Sequence, residues 1–313
     1  MSTRASHGSF ALNSCVKASE RADMEHLRLA IGLMGFLSVA TFFVTCRLAV
    51  RASQTALDLF AVIILLLIAV YVYFFWGQLW IVNWIPLPSV IILSNWFPIL
   101  LAMLAAILWT RQQTLSLVRR LPIQAALLGV TVWSVIYVIP QSPPDCKDKW
   151  IAAEPPVPYR ICLQTTDHTC SAAAVATILE TFGLEATEAE MARLCLTSKG
   201  TTWLGMYHGL SIKLWGTGYK AKFFEGSVDE LAEVVRLGPV LLCCQLTEQT
   251  ATVVRKYQED DGWIPGVQHS VVCFGVAGDV FFIGDPSQKR MERWRRKDMI
   301  NLWTGTGLMV VEP

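Results

Sequence analysis

Charge is what this chain has least of. Only 16% of its 313 residues are Asp, Glu, Lys or Arg, against 53% hydrophobic, whereas soluble proteins carry about 25% charged residues. From Leu59 to Thr110 no Asp, Glu, Lys, Arg or His occurs, and none occurs from Leu121 to Pro144. Such runs exclude a wholly water-soluble protein and make the lipid bilayer the first expected partner. Net charge is nearly absent too, at +1, so nothing points to nucleic acid or to a strongly acidic substrate. Also missing is the phosphate-binding pattern G-x-x-x-x-G-K-[ST], which argues against an ATPase of that class within these residues. No cofactor and no metal are expected.

The longest apolar run exceeds one crossing, since a bilayer core takes about 20 helical residues. Gly77, Asn83, Pro86 and Pro88 interrupt it where a helix would stop. Two spans, 59–76 and 90–110, are expected there, joined by a segment whose Trp76, Trp80 and Trp84, with Trp96 nearby, favour the headgroup level. Runs at 29–46 and 121–139 supply two more, giving a four-helix membrane domain over 29–140 behind a tail of residues 1–28. The first run reads as an uncleaved helix rather than a signal peptide, because a long segment precedes it and no small-x-small site follows.

Arg47 and Arg51 lie between spans one and two, and Arg111, Arg119 and Arg120 between spans three and four; the intervening loop has no Lys or Arg. The positive-inside rule puts the Arg-bearing loops in the cytoplasm and everything after the fourth span outside. An integral protein of a bacterial inner membrane with an extracytoplasmic C-terminal domain is expected. Arg4, Lys17, Arg21 and Arg28 in the tail run against this arrangement. Seven of the nine cysteines follow the last span, which leaves both disulfides and free buried thiols open.

Residues 141–158 hold Pro143, Pro144, Pro155 and Pro156 among charged residues and read as an extended tether. Residues 159–313 are a suitable length for one globular domain. Helices are expected from Cys170 to Gly183, from a capping box at Thr187 and Glu190, over Trp203–Leu214, and from a second box at Ser227 and Glu230 up to Gly238. Short β-rich runs follow at 239–246, 269–276, 280–283 and 308–311, the middle two joined by a turn at Ala277, Gly278 and Asp279. Helices first and strands later imply an α+β domain with an antiparallel sheet.

Four polar residues stand out in that domain. Cys170 at the first turn of a helix faces unpaired N–H groups, which favour thiolate over thiol. His269 at a strand start can share its proton, and Asp285, returned by the hairpin, can fix the imidazole tautomer. Gln164, on the loop leading into the helix, can aim its amide at a developing oxyanion together with the Cys170 N–H. His168 and His208 are rival bases, the first too close to Cys170 in sequence and the second inside a helical run. Lys289, Arg290, Arg293, Arg295, Arg296 and Lys297 form a basic cluster that reads as a solvated face rather than a lipid-binding patch.

Gln164 six residues before Cys170, an Ala-rich helix ending in Phe182-Gly183, then Gln268-His269-Ser270-Val271-Val272 and Gly284-Asp285-Pro286 resemble the C39 peptidases, the bacteriocin-processing branch of the papain-like fold. The likeness covers roughly Tyr159 to Val311. It implies a cysteine peptidase with a Cys170–His269–Asp285 triad and Gln164 as oxyanion donor. The family usually reads Asp-Cys-Gly where this chain reads Thr169-Cys170-Ser171. Many C39 domains belong to ABC exporters and cut leader peptides after a double glycine in the cytoplasm; an outward-facing domain without an ATPase fits that substrate poorly. The expected function is cleavage of exported or membrane-proximal polypeptides, beside separate export machinery. A catalytically silent peptide-binding module and a thiol-dependent acyl transferase are the alternatives.

Overall fold

No proline occurs before Pro86, and the first helix, α1, runs unbroken over Ser6–Ala49. The computed structural model describes residues 6–113, 116–136, 143–259 and 262–312. Residues 6–28, expected as a separate tail, are thus helical and continuous with the first span. The reason is local: residues 17–28 are mostly Ala, Glu, Arg, Lys, Met and Leu, which are strong helix formers. Ser53 then starts α2 (Gln54–Phe74), its hydroxyl accepting from the Ala56 N–H. A 3₁₀ turn (Leu79–Asn83), a short α3 (Val90–Leu93), α4 (Phe97–Arg111) and α5 (Leu117–Ile136) follow.

Residues 1–81 and 89–139 form one compact unit, and 82–88 with 140–313 another. In the first unit Ala49, Leu57, Ile64, Leu104 and Ile107 pack together, while Leu29, Phe36 and Leu66 point outward, exposed. An apolar exterior is what lipid requires. The break between α3 and α4 frees backbone groups that Tyr71 satisfies: its hydroxyl donates to Ser94 O at 2.7 Å and accepts from the Trp96 N–H at 3.3 Å. Arg111 Nε lies 2.9 Å from Asp58 Oδ1. That pair sets the C-terminal end of α4 beside the start of α2, at the same end of the unit as the Arg47–Arg51 segment.

Three helical stretches, Glu25–Ala49, Gln54–Phe74 and Val90–Arg111, are long and apolar enough to cross a membrane. Four were expected. Arg119 and Arg120 occupy the first turn of α5, leaving a described apolar stretch shorter than the roughly 20 residues a bilayer needs. Residues 137–142, where the fourth span was expected to end and the tether to begin, lie outside the described residues.

The second unit opens with two paired antiparallel strands, β1 (Lys149–Ala152) and β2 (Arg160–Leu163). The expected tether therefore contains a strand, which its prolines at 155 and 156 permit because they fall in the connecting loop. Next come α6 (Cys170–Thr181), α7 (Glu188–Leu194), α8 (Trp203–Leu214), β3 (Lys220–Glu225), α9 (Val228–Val234), β4 (Val240–Gln245), α10 (Glu248–Val253) and α11 (Lys256–Glu259). Then β5 (Gln268–Ala277), β6 (Val280–Gly284), β7 (Glu292–Arg295), α12 (Arg296–Leu302) and β8 (Trp303–Val311) complete the unit. Six strands form one antiparallel sheet in the order β3-β8-β4-β5-β6-β7. The α+β architecture with helices preceding an antiparallel sheet is as expected.

Strand β4 is buried along nearly its whole length, because helices cover both faces of the sheet at its centre; this is why its sequence is a continuous apolar run rather than an alternating one. On one face Leu242, Val271, Cys273, Phe281, Ile283, Trp294 and Trp303 share a core. Against the sheet and β2 packs α6, whose Ala-rich sequence lets the backbones approach. Ser227 and Glu230 form the expected capping box of α9. At α7 only half of the expected box forms: Thr187 accepts from the Glu190 N–H at 3.0 Å, but the Glu190 carboxylate turns instead to Lys213, at 2.6 Å.

Helix α8 lies close on the end of α7 because Gly209 has no side chain. A Cβ there would stand 2.5 Å from Cys195 Sγ and 2.7 Å from Cys195 N. Gly209→Ala is expected to destabilise the second unit by about 1–3 kcal/mol, the usual cost of overpacking. Gly238→Ala, with open space around it, is expected to stay within about 0.5 kcal/mol. Thermal unfolding midpoints of the two detergent-solubilised variants check this; equal midpoints would contradict the packing.

Candidate active site

Thr169 and Thr166 make the turn that launches α6. Thr169 Oγ1 donates to Thr166 O at 3.1 Å and lies 3.3 Å from the Thr166 N–H, so Cys170 becomes the first residue of the helix. Its thiol sits partly exposed at the end where backbone N–H groups are unpaired. Ser171 Oγ is 3.9 Å from the Cys170 sulfur and 2.9 Å from Ser270 Oγ. The two serine hydroxyls thus join the helix carrying Cys170 to the strand carrying His269, and here the chain departs from the Asp-Cys-Gly pattern.

The β5–β6 hairpin, with Gly278 at φ +59° and Ala277 paired to Val280, brings Asp285 back toward the start of β5. His269 Nε2 donates to Asp285 Oδ1 at 2.8 Å. The ring's other nitrogen is left for the thiol, and Cys170 and His269 are hydrogen-bond partners. Asp285 is wholly buried, and its carboxylate accepts from four donors. Besides His269, the Ser287 N–H and Oγ–H reach Oδ1 at 2.8 Å each, and the Trp263 Nε1–H reaches Oδ2 at 3.1 Å. Trp263 also packs on the imidazole, ring centres 4.4 Å apart, and is itself wedged against Tyr257 and Trp294.

These contacts set the charges. Burial pushes the Cys170 thiol up, but the charge and hydrogen bond of His269, the Ser171 hydroxyl and the Ser270 backbone outweigh it, so the thiol falls below its ordinary pKa. Burial opposes the His269 imidazolium, yet Asp285 and Cys170 beside it raise its pKa to about 10. Asp285 is raised by burial but lowered more by His269 and Ser287, and ends below the ordinary carboxylate value. Other thiols go the opposite way: burial pushes Cys273 up to about 12 and Cys146 up to about 11. The eight cysteines from Cys46 onward are not joined in disulfides.

Gln164 is joined to this group by its backbone, not yet by its amide. Its N–H donates to Pro286 O at 2.9 Å, tying it to the Asp285 turn. Its side-chain Nε2 donates to Thr166 O at 3.2 Å, and Oε1 is buried without a partner. Thus three of the four expected residues stand in series, with His269 between Cys170 and Asp285, and the fourth stands on the adjoining loop with its amide turned along that loop.

Neither rival histidine enters the group. His168 is exposed on the turn before α6; His208 is wholly buried and its Nδ1 bonds Pro88 O at 2.6 Å. Of the basic cluster, Arg296 grips Asp229 with two bonds and Arg293 lies 3.7 Å from Glu154, as a solvated face would. Sequence reasoning missed Trp263, Ser287 and Ser270. Only Ser287 left a signal, since an Asp followed two residues later by a small donor forms an Asx turn.

Several solved structures resemble the second unit. The peptidase domain of Streptococcus ComA, a bifunctional ABC transporter of a quorum-sensing pathway, is 21% identical with a TM-score of 0.39, covering 50% of this chain and 99% of its own. The peptidase domain of Streptococcus mutans ComA is 20% identical with a TM-score of 0.34, covering 48% and 98%. A double glycine motif protease from an AMS/PCAT transporter, solved with its leader peptide, is 16% identical with a TM-score of 0.36, covering 56% and 97%. No curated protein matches the chain. The sequence pattern of the peptidase C39 family matches residues 158–313, and through this segment the chain belongs to the peptidase C39 family.

Proposed function

We propose that this chain is a membrane-anchored cysteine peptidase that cleaves exported or membrane-proximal polypeptides. The observation that carries the reading is the hydrogen-bonded series Cys170–His269–Asp285, with the thiol held low and the imidazole held high. In the proposed reaction the Cys170 thiolate attacks the scissile carbonyl, His269 delivers its proton to the departing amine, and water then frees the acyl-enzyme with His269 as base. Asp285 keeps the imidazole in the tautomer that faces the thiol. The Cys170 N–H and the Gln164 amide stabilise the oxyanion once the amide swings from Thr166 O toward it.

Three apolar helices anchor the enzyme; taking the uncharged run 121–139 as a fourth crossing, with the Arg-bearing loops in the cytoplasm, leaves the peptidase outside it. A domain there meets its substrates after export, so cutting a leader beforehand is not the proposed reaction. Substrates reach it from separate export machinery. A reporter enzyme fused at Pro313 that functions only outside the cytoplasm is expected to be active; activity only of a cytoplasmic reporter would reverse the orientation.

Iodoacetamide is expected to alkylate Cys170 faster than Cys146 or Cys273 at neutral pH. His269→Ala should slow that reaction about tenfold or more and abolish cleavage, as Cys170→Ala also does, while His168→Ala leaves both unchanged. Peptides accumulating in a Cys170→Ala strain, read by mass spectrometry, identify the substrate. If Cys170 reacts no faster than the other thiols and ignores His269→Ala, the domain is a silent peptide-binding module instead.

The pH dependence follows from the same shifts. Below the thiol pKa, Cys170 is protonated and the nucleophile is lost; above that of His269, about 10, the proton for the leaving amine is lost. Cleavage is expected to trace a bell whose acid limb lies below the ordinary thiol value of about 8.5. An acid limb at or above that value would contradict the ion pair.

A further inference from the structure

Glu188 is a carboxylate with no exposed surface and no part in the reaction just described. A buried carboxylate is costly unless fully hydrogen-bonded, so the groups it holds identify its purpose. Oε1 accepts the Thr165 N–H and Oε2 accepts the Thr165 Oγ1–H, each at 2.7 Å. Thr165 is the residue after Gln164. Its hydroxyl, having given its proton to Glu188, accepts from the Lys147 N–H at 3.0 Å. Beside it, Asp148 Oδ1 accepts from the Ala189 N–H at 3.4 Å.

Lys147 and Asp148 belong to the tether, ahead of residue 158 where the family match begins. The tether continues as β1, whose Lys149 pairs with Leu163, the residue before Gln164. Gln164 is thus flanked on one side by the strand pairing at Leu163 and on the other by the Glu188 carboxylate at Thr165. Its own N–H is fixed on Pro286 O. Its side chain, by contrast, has one weak donor contact and an unpartnered Oε1, so the position of the amide depends on the backbone beneath it.

We infer that Glu188 is a positioning residue for the Gln164 oxyanion donor, and that the tether segment at Lys147 is the other half of the same brace. This rests on the cysteine-peptidase reading of the site. Glu188 acts through Thr165, so its loss should weaken acyl chemistry while leaving the Cys170–His269 pair intact. Two reagents separate these. With p-nitrophenyl acetate the thiolate sulfur bonds the carbonyl carbon, the C=O pair moves to oxygen, and collapse of that oxyanion breaks the ester C–O bond and releases nitrophenolate. With iodoacetamide the sulfur displaces iodide from carbon and no oxyanion forms.

The test uses the full chain in detergent, with the Cys170→Ala background subtracted. Release of nitrophenolate and alkylation of Cys170 are timed for the unaltered chain, Glu188→Gln, Thr165→Val and Thr165→Ser. The expected result is a fall in the ratio of acylation to alkylation of about tenfold to a hundredfold in Glu188→Gln and Thr165→Val, the scale of a misplaced group. Alkylation should stay within about twofold, and Thr165→Ser, which keeps the hydroxyl, should restore the ratio. An unchanged ratio in both Glu188→Gln and Thr165→Val would overturn the inference, as would a parallel loss of both reactions in the two variants, which marks a general structural role. If the unaltered Cys170 alkylates at an ordinary rate and releases no nitrophenolate, the peptidase reading itself fails and this one with it.

Discussion

The hydrogen bond from His269 to Asp285 is the constraint on which the second unit is organised. A carboxylate with no solvent contact must be paired and saturated with donors or it protonates. Here saturation draws on three separate parts of the chain: His269 from the start of β5, Ser287 from the turn after β6, and Trp263 from the loop before β5. The hairpin brings two of them together, and the Tyr257–Trp263–Trp294 cluster presses the third into place. Once Asp285 is held as an anion, His269 is favoured as a cation, and its charge lowers the pKa of Cys170 at the first turn of α6 against the effect of burial.

Seen from α6, the same geometry explains the departure from Asp-Cys-Gly. A glycine after the nucleophile would leave the helix start touching β5 through backbone alone. Ser171 adds a hydroxyl that meets Ser270 at 2.9 Å, fastening helix to strand one residue beyond Cys170 and His269. Thr169 likewise replaces a carboxylate with a hydroxyl that closes the Thr166 turn. Both substitutions keep Cys170 in place by neutral hydrogen bonds, which add no negative charge to compete with the thiolate.

Residues whose chemistry is special were legible in the sequence, and residues whose role comes from packing were not. Cys170, His269, Asp285 and Gln164 could be picked out as a candidate site because few residue types can serve as nucleophile, base, orienter and oxyanion donor. Helix α8 was legible to the residue, since the expected Trp203–Leu214 is its observed extent. Trp263 was invisible because nothing near it in sequence announces that its indole N–H will find Asp285. Glu188 was hidden behind the expected Thr187–Glu190 box, whose carboxylate went to Lys213 instead. In the membrane unit, low charge revealed three candidate spans, while the expected end of the fourth lies outside the described residues.

The tether links the two themes. Read as a spacer, it contains a strand beside β2, and its Lys147 N–H reaches the loop that carries Gln164. The proposed chemistry depends on charge separation between Cys170 and His269 at rest. The most direct test is the ultraviolet absorbance of the thiolate, titrated with pH in the full chain and in Cys170→Ala. The account predicts a difference signal that appears well below the ordinary thiol value of about 8.5 and shifts upward in His269→Ala. A Cys170 signal that appears only at or above that value, with or without His269, would contradict it.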